Sequence, residues 1–467
     1  MPSTFLGLSI GASALNANMV AENVVGQNIA NANTPGYSVE TANMVTSSPY
    51  TPADGTTILQ PGMIGTGVTV GSITRATDAY TTAQLYNAQS DQSYSTAQQN
   101  ALNQVQDAFN EPSSNGLSNA MDTFFESFQN IANNPSDPGV AAATIQDGVA
   151  LTSVFNNLSQ QFSETASGLS TQLNSDMTTL NNDASQIATL NVSISQSLAQ
   201  GQQPNDLMDQ RDSLINSISS LANVNVTTQP NGMVNISAGN TNLVLGTDAY
   251  TATTTSLQAN NGLSSGEIAG LLQSQTQVAG YQSNLDNLAK QVVTAVNQVQ
   301  YSGSDAYGNT GSSGTNPASP FFTTTGTTAG TITVNPALIN DPNLLAVSAA
   351  GTPGTPPAAG DVSNASNFTS IQSTPIAALD NMSPDDYYQN MVSSVGSAAA
   401  AATTEVNNTT ASVTQLTQQQ DSVTGVSTDD EMTEMMQYQE AYQAAARFVT
   451  TSDDLLTDLM SMGSTAS

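Results

Sequence analysis

The sequence predicts a mainly α-helical protein with β insertions, in which long N- and C-terminal coiled-coil helices form a bundle and a β-containing domain faces outward. Apolar residues near both chain ends recur at intervals of three, four or seven, the spacing of one helix face. Residues 139–200 show the same spacing and contain no proline, which favours one long helix. Alternating apolar and polar residues with turn signals follow residue 223 and indicate strands.

The composition supports several helical domains. A chain of 467 residues exceeds the roughly 250–300 residues at which a single core stops growing. Only 38% of the residues are apolar, which suits helices with narrow apolar stripes better than one large core. Cysteine is absent, which fits a protein that is exported unfolded. The sequence contains no run of about 18 apolar residues and no basic segment at its start, so we expect neither membrane insertion nor a cleaved secretory signal.

The charge balance is strongly acidic, with 36 acidic residues against Arg75, Arg211, Lys290 and Arg447. Nucleic acid is excluded as a partner because a phosphate backbone requires clustered cations, and an anionic membrane surface is disfavoured for the same reason. The acidic residues favour solubility. A second hypothesis is exposure to an acidic medium, where carboxylates with pKa values near about 4 lose most of their charge.

The first element is a helix over residues 1–33. Its apolar positions fit one face of a helix, and they are Phe5, Leu8, Ala12, Leu15, Met19 and Ile29. The helix ends where Thr34 precedes Pro35, because a residue before proline is pushed out of the α region. Pro35-Gly36 predicts a turn, and the alternation from Tyr37 predicts extended structure.

The body continues with helices over 78–109, 115–133, 139–200 and 205–221, after an extended segment that ends in a strand over 67–74. Leucine and isoleucine recur every seven residues in the third of these helices, as in a coiled coil, at Leu173, Leu180, Ile187 and Ile194. In the fourth, Arg211 stands among Asp206, Asp209 and Asp212, which is most simply an ion-pair anchor on a helix surface. Residues 1–75 are therefore taken as an N-terminal assembly segment and 76–222 as a helical body.

Residues 223–370 are predicted to form an inserted, outward β-containing domain. Two alternating runs flank Pro230-Asn231-Gly232, a strong hairpin signal, and a further strand begins at Thr241. A helix is predicted over 265–301 and a strand over 330–334, between segments rich in glycine, serine, threonine and proline.

Residues 371–467 return to helix, over 384–420 and 428–462. Apolar and small residues of the last helix step by four and three and form a second seam; they are Tyr438, Tyr442, Ala445, Val449, Ser452, Leu456 and Leu459. Such narrow stripes at the two ends either pair with each other or pair and also contact neighbouring subunits. The residues alone leave both possibilities open.

Catalysis and metal binding find little support in the sequence. Histidine is absent as well as cysteine, which excludes catalytic triads and the usual zinc sites. A glycosidase would need only two carboxylates, but no aromatic sugar platform accompanies any pair. The acids in 429–434 are better explained by the helix N-terminus than by a cation site. We therefore expect no enzyme activity, cofactor or metal.

The segment Asn28-Ile-Ala-Asn-Ala-Asn-Thr-Pro-Gly-Tyr37 resembles the N-terminal signature of the bacterial flagellar axial protein family, the rod, hook and hook-associated proteins. Three further segments resemble the hook-associated members, in the same order along the chain. They begin at Asp206, at Ser265 and at Ser422. Residues 302–370 match no segment of that family.

The resemblance implies a structural protein at the hook–filament junction, outside the cell and exported through the flagellar type III apparatus without cleavage. It implies a ring of identical subunits, with the hook protein, a second hook-associated junction protein and an export chaperone as partners. It also implies an assembly interface formed by both termini. The expected interface residues are Leu8, Leu15, Met19, Asn28, Ile29, Asn31, Thr34, Pro35, Gly36, Tyr37, Tyr438, Tyr442, Val449, Leu456 and Leu459. A hook or distal rod protein, or a surface adhesin that uses 223–370, remain the alternatives.

Overall fold

The computed structural model describes residues 5–49, 65–135, 137–259 and 262–464. Long helices dominate, as predicted. The helices are α1 Leu6–Asn31, α2 Ala79–Phe109, α3 Leu117–Asn133, α4 Pro138–Ala199, α5 Asn205–Leu221, α6 Thr254–Gln258, α7 Glu267–Ser302, α8 Pro336–Asn340, α9 Ala365–Ile371, α10 Pro384–Thr424 and α11 Thr428–Ser464. The side chain of Leu459 lies outside the described part of α11.

The strands form small antiparallel sheets. Strands β1 Glu40–Thr46 and β2 Val68–Arg75 pair with a register shift between Asn43 and Met44. A second sheet has the order β3-β4-β5-β6, and a third pairs β7 with β8. These strands are β3 Val224–Thr228, β4 Val234–Ala238, β5 Thr241–Leu245, β6 Asp248–Ala249, β7 Gly303–Ser304 and β8 Ser348–Ala349. The mainly α class with small β sheets is confirmed.

The strand predicted over 330–334 is wrong. Phe322 and Val334 form an isolated bridge instead, and the residues around them are turns and coil. The alternation of apolar and polar residues still marks which side chains are buried, because Ile332 and Val334 are both buried. The segment uses its apolar residues to cover helices, and it has no neighbouring strand long enough to make a ladder.

The chain divides into two compact units. Unit 1 contains Met1–Ser90, Thr178–Ser264 and Thr410–Ser467; unit 2 contains Asp91–Met177 and Ser265–Thr409. Residues 223–370 are therefore shared between the two, with the four-stranded sheet in unit 1 and α7 in unit 2. The outward-facing domain inferred from the sequence remains a prediction about the assembled protein.

Unit 2 is built around aromatic rings. Phe124 and Phe128 of α3 lie in edge-to-face contact with centroids 5.3 Å apart, and Phe128 stacks on Phe368 of α9 at 4.2 Å. Phe321 and Phe322 complete the cluster from a loop, at 5.3 and 5.9 Å from Phe124. All five rings are fully buried. The apolar face predicted for residues 115–133 thus becomes the centre of this core.

In unit 1 the second half of α4 carries the four-stranded sheet. Leu180, Ile187 and Ile194 of the predicted seam are fully buried. Asn191, on the same face, donates to the carbonyl oxygens of Val234 (2.8 Å) and Gly246 (2.7 Å). An apolar stripe with one fully bonded amide fixes the register between helix and sheet, because a shift would bury unpaired polar groups.

Candidate assembly interface

The segment Asn28–Tyr37 forms the last turn of α1 and the loop that follows it. Thr34 donates its backbone N–H to the carbonyl of Asn31 (2.8 Å), and Tyr37 donates to that of Thr34 (3.2 Å). Gly36 has φ +80°, a conformation that glycine adopts without strain. The helix therefore stops beside proline, and the chain reverses into β1.

Asn28 joins the two ends of the chain. Its side-chain Nδ2 donates to the carboxylate of Glu431 in α11 and to the carbonyl of Glu40, both at 2.9 Å. Its Oδ1 accepts from the Tyr37 hydroxyl (2.8 Å) and the Glu40 backbone N–H (3.0 Å). The side chain is 1% exposed; three of the four bonds are buried, and the bond from the Tyr37 hydroxyl is partly buried. We call Asn28, Tyr37, Glu40 and Glu431 the Asn28 cluster.

Burial raises the pKa values of the titratable groups in this cluster. It raises the pKa of the Glu431 carboxyl, against the opposing effect of the bond from Asn28. It also raises the pKa of Glu40, opposed by a hydrogen bond from Asn205. The pKa of the Tyr37 hydroxyl is raised by burial and by nearby carboxylates, Glu40 first. The cluster therefore favours neutral forms of its acids.

The loop after α1 is also fixed to α5. Asp209 accepts from the backbone N–H of Ser38 (3.1 Å) and from the guanidinium of Arg75 (2.6 Å), which also bonds Asp212 at 2.6 Å. The end of α10 contributes as well, because the Thr424 carbonyl accepts from the backbone N–H of Val39 (2.9 Å). The signature loop is thus anchored by helices distant in sequence.

Arg211 is not the surface anchor predicted from its acidic neighbours. It is 5% exposed, and its Nη1 donates to the carbonyl of Gly232 at 2.7 Å. Its Nε lies 3.6 Å from the Asp212 carboxylate, a looser approach than the one Arg75 makes. Burial lowers the pKa of Arg211. The prediction failed because the hairpin that receives Arg211 and the strand that supplies Arg75 are not adjacent to α5 in sequence.

Helices α1 and α11 pair along their length. A Cβ built on Gly11 would lie 2.4 Å from Val449, and one on Gly7 would lie 3.4 Å from the Ser452 hydroxyl. Since Asn28 meets Glu431 at the other end, the two helices run antiparallel. The side chain of Val449 occupies the space that a side chain at position 11 would need, so this close approach requires glycine there.

The face of α1 toward α11 is made of small and polar residues. This inner α1 row repeats at intervals of three and four, and all but one of its members are buried; it consists of Gly11, Ala14, Asn18, Ala21, Val25 and Asn28. Of this row, the sequence predicted only Asn28 as an interface residue, because the other choices on α1 were large apolar residues. The signal that could have found it is the same heptad spacing in small residues.

The structure separates the predicted interface residues into two groups. Leu8, Leu15, Met19 and Ile29 share a different face of α1, where the first, second and fourth are half-buried and Met19 is 46% exposed. Asn28 and Tyr37 belong to the Asn28 cluster. Of the others near the signature loop, Asn31 is half-buried, and Thr34, Pro35 and Gly36 are exposed. On α11, Tyr438, Val449 and Leu456 are half-buried on the face toward α1. Tyr442 lies at the margin of that face and is 39% exposed.

A cleft of about 780 Å³ opens beside the loop, between it and helices α4 and α5. Pro35, Leu190 and Leu214 give it an apolar wall, and Asp206 and Gln210 give it a polar one. Across residues 5–49, 65–135, 137–259 and 262–464, no group of three or more acids could hold a metal ion. No helix in these ranges is long and apolar enough to cross a membrane.

Three family models match successive parts of the chain. The model of the flagella basal body rod protein matches residues 8–37, which include most of α1 and the signature loop. The model of the flagellar hook-associated protein FlgK helical domain matches residues 102–313. The model of the flagellar basal body rod FlgEFG protein C-terminal region matches residues 417–462, which include most of α11.

Whole proteins agree with these models. Flagellar hook-associated protein 1 of Bacillus subtilis is 28% identical over 98% of both chains. The protein of the same name from Salmonella typhimurium is 28% identical over 49% of this chain and 40% of its own length. The flagellar hook junction protein FlgK of Burkholderia pseudomallei shares the fold, with a TM-score of 0.62 and 17% identity over 73% of this chain and all of that one.

Proposed function

We infer that this chain is a member of the flagellar hook-associated protein 1 family, and that it is a structural component of the bacterial flagellum that joins the hook to the filament. It is a component of the assembly and not an enzyme. The observation that carries the inference is the pairing of α1 with α11 through the Asn28 cluster. The two segments that resemble rod and hook proteins are the two that meet there.

The pairing gives the signature segment a physical role. Asn28 bonds Glu431 from the far end of the sequence, so correct folding of one terminal helix depends on the other. Isolated helices gain most of their stability from packing against a partner. We propose that the paired termini form the part of the subunit that enters the axial structure, and that 223–370 face outward.

The partners follow from the same proposal. The subunits form a ring on the distal end of the hook, contact the hook protein on one side and bind a second hook-associated junction protein on the other. An export chaperone holds the chain before secretion, and the flagellar type III apparatus exports it uncleaved. Intact mass measurement of the protein from isolated flagella tests the last point, since cleavage would leave a mass lower than that of the translated chain.

Antibody labelling of isolated flagella tests the position. Signal confined to the hook–filament boundary is the expected result, and a strain that lacks the gene should make hooks without filaments. Signal along the whole hook would assign the chain to the hook protein instead. Signal on cells that have no flagella, with binding of sugars or host surfaces, would favour an adhesin.

A further inference from the structure

The first turn of α7, in unit 2, contacts α2 through its backbone. A Cβ on Gly270 would lie 2.6 Å from the carbonyl oxygen of Tyr94 and 2.9 Å from the Cβ of Ala97. The chain enters α7 through Gly266, which has φ +95° and no side chain to cap the helix. Glu267, the first residue of the helix, is half-buried. Its carboxyl group is therefore the polar group that can fix the beginning of α7 to another helix.

Glu267 is joined to a buried carboxyl group of α4. Gln172 donates its side-chain Nε2 to Asp176 Oδ1 at 2.9 Å, and the same amide bonds the Glu267 carboxylate, so one side chain bridges two acids. Asp176 is 5% exposed. Its other oxygen, Oδ2, is buried, and it has no hydrogen-bond partner among the residues that the structure describes. We call Asp176 and Glu267 the acid pair; both belong to unit 2, as does Gln172.

The surroundings of the acid pair favour a bound proton. A carboxylate oxygen that is buried without a donor is costly when it is charged and much less costly when the group is protonated. Burial raises the pKa of Asp176, against the bond from Gln172. Burial also raises the pKa of Glu267, and the charge of Asp176 adds to that shift. Two carboxyl groups that interact in this way lose their protons in two separate steps.

No cation of the chain neutralises the acid pair. None of the four basic residues shifts the pKa of either carboxyl group, and Asp176 is the one charged residue of the described chain that shifts the pKa of Glu267. On α2, the titratable residue at the contact with Gly270 is Tyr94, whose hydroxyl accepts from Gln98 of its own helix at 2.8 Å. The repulsion between the two ionised acids is therefore not offset by a neighbouring positive charge.

We propose that the acid pair is a pH-sensitive switch that attaches the beginning of α7 to α4 in acid and loosens it at neutral pH. In acid the pair holds a proton, and the Gln172 amide bonds both groups. As the pH rises both acids ionise, and their repulsion separates the first turn of α7 from α4, while the contact of Gly270 with α2 remains. Unit 2 is then more rigid in an acidic medium than at neutral pH. The switch does not depend on the proposed flagellar role.

The acid pair stabilises the folded chain most at low pH. Because the pKa values of Asp176 and Glu267 are raised on folding, the folded state binds a proton more tightly than the unfolded state, in which these groups have pKa values of about 3.9 and 4.3. The contribution to stability is therefore full below about pH 4 and is lost as the pH rises through the folded values.

Hydrogen exchange of the purified full-length chain tests the switch. Amide protection over residues 270–275, corrected for the intrinsic exchange rate, should fall about tenfold from about pH 4.5 to about pH 7.5, since one unit of pKa displacement is a factor of ten in the opening equilibrium. Glu267→Gln and Asp176→Asn should each remove most of this fall, because neither variant can carry both charges. Equal protection of the wild type at the two pH values would overturn the proposal.

The matched control is Glu164→Gln, also on α4, whose exposed carboxylate accepts from Gln160 at 2.8 Å. This variant should keep the pH response of the wild type over residues 270–275. A response lost equally in Glu164→Gln and Glu267→Gln would assign it to the overall negative charge of the chain and would refute the switch. The α11 amides of the same samples should be unaffected by Glu267→Gln, because α11 belongs to unit 1.

Titration of the wild-type carboxyl groups covers the case in which a variant folds poorly. Carbon-13 NMR of the labelled full-length chain, with the two carboxyl resonances assigned through their backbone signals, should show Asp176 and Glu267 titrating in two separate steps above the ordinary value of about 4. Titration of both groups in one step near that value would contradict the proposal. Steps that move when calcium chloride is added would assign the acid pair to a bound cation and would also contradict it.

Discussion

The aromatic core of unit 2 and the α1–α11 pair of unit 1 place their large side chains in opposite ways. In the core, Phe124, Phe128 and Phe368 are fully buried by their own chain. In the helix pair, Val449 and one side of the Phe448 ring lie against Gly11, and Phe448 keeps 48% of its surface exposed. The first region is complete in one subunit. In the second region, apolar surface stays exposed in the single subunit, as expected of a surface that another subunit covers.

The largest expected effect is the loss of stability when a buried phenylalanine of the core is removed, compared with removal of the half-exposed Phe448. Phe128→Ala should lower the free energy of unfolding by about 3–5 kcal/mol, because it leaves a cavity between Phe124 and Phe368. Phe448→Ala, at a site that is 48% exposed and contacts α1 only at Gly7 and Gly11, should cost less, about 1 kcal/mol, and should also impair filament attachment. Urea unfolding of the purified full-length chain, with motility of the corresponding strains, measures both.

Equal destabilisation by the two substitutions would break the comparison. It would mean that the chain in solution buries Phe448 as deeply as Phe128. Normal motility of the Phe448→Ala strain would show that the exposed part of the Phe448 side chain has no role in assembly, whatever the stability of the chain.

A smaller loss is expected at the Asn28 cluster. Asn28→Ala removes three buried hydrogen bonds and a partly buried one, and it leaves Glu431 and the Tyr37 hydroxyl without this partner, which should cost about 2–4 kcal/mol of helix pairing. Asn31→Ala is the matched control, because its two side-chain bonds, to the Gln27 carbonyl and from the Thr34 hydroxyl, are both exposed to water, and it should cost less than about 0.5 kcal/mol. Hydrogen exchange of α11 amides in the full chain distinguishes the two. Equal exchange rates of the α11 amides in both variants would mean that Asn28 does not stabilise the helix pair.

The sequence predicted the helices well because their signals are local and repeated. Residues 205–221 were predicted as a helix and form α5 at the same bounds, and the hairpin at Asn231-Gly232 forms as its turn chemistry requires. The sequence predicts that the Asn28 signature belongs to an assembly interface, and the structure shows that it joins α1 to α11. Its bonding was not predictable, since Glu431 lies 403 residues away and no periodicity links the two.

The failures have a common physical cause. Apart from Val25, the inner α1 row consists of glycine, alanine and asparagine, which give little hydrophobic signal, so the larger residues on the other face were taken as the seam. Arg211 was placed at the surface because its acidic neighbours are visible in sequence, whereas the Gly232 carbonyl that it bonds is not. Local pattern predicts which elements form, and packing between distant elements decides which face is buried.

Glycine substitutions compare two faces of α1, the face on which Gly11 contacts α11 and the open face on which Gly26 lies. Gly11→Val should cost about 1–3 kcal/mol of helix pairing, because even a Cβ would lie 2.4 Å from Val449. Gly26→Ala should stabilise the free chain by roughly 0.5–1 kcal/mol, because alanine is the better helix former and the site is open. Thermal unfolding followed by circular dichroism measures both. A Gly11→Val chain as stable as the wild type would mean that α1 and α11 separate in solution.

The smallest expected effect is the pH dependence of the helix contact. Burial raises the pKa of Glu431 in the folded chain, with Asp430 and Glu434 adding to the shift. The folded state then binds the proton more tightly than the unfolded state, so this contribution to stability is full below the unfolded pKa of about 4.3 and is lost as the pH rises through the folded value. Stability of the α1–α11 pair should therefore fall from pH 4 to neutral pH.

Glu431→Gln isolates that contribution, because an amide keeps a hydrogen-bonding group at the site without the charge. The variant should lose part of the pH dependence and be more stable than the wild type near neutral pH, and Glu434→Gln should retain most of the slope because Glu434 acts only through its charge. Urea unfolding of the full chain at several pH values measures the slopes. An unchanged slope in Glu431→Gln would assign the pH response to carboxylates outside the contact. A reduced slope would mean that an acidic medium favours the paired termini, which connects the excess of acidic residues to the stability of the surface that assembles.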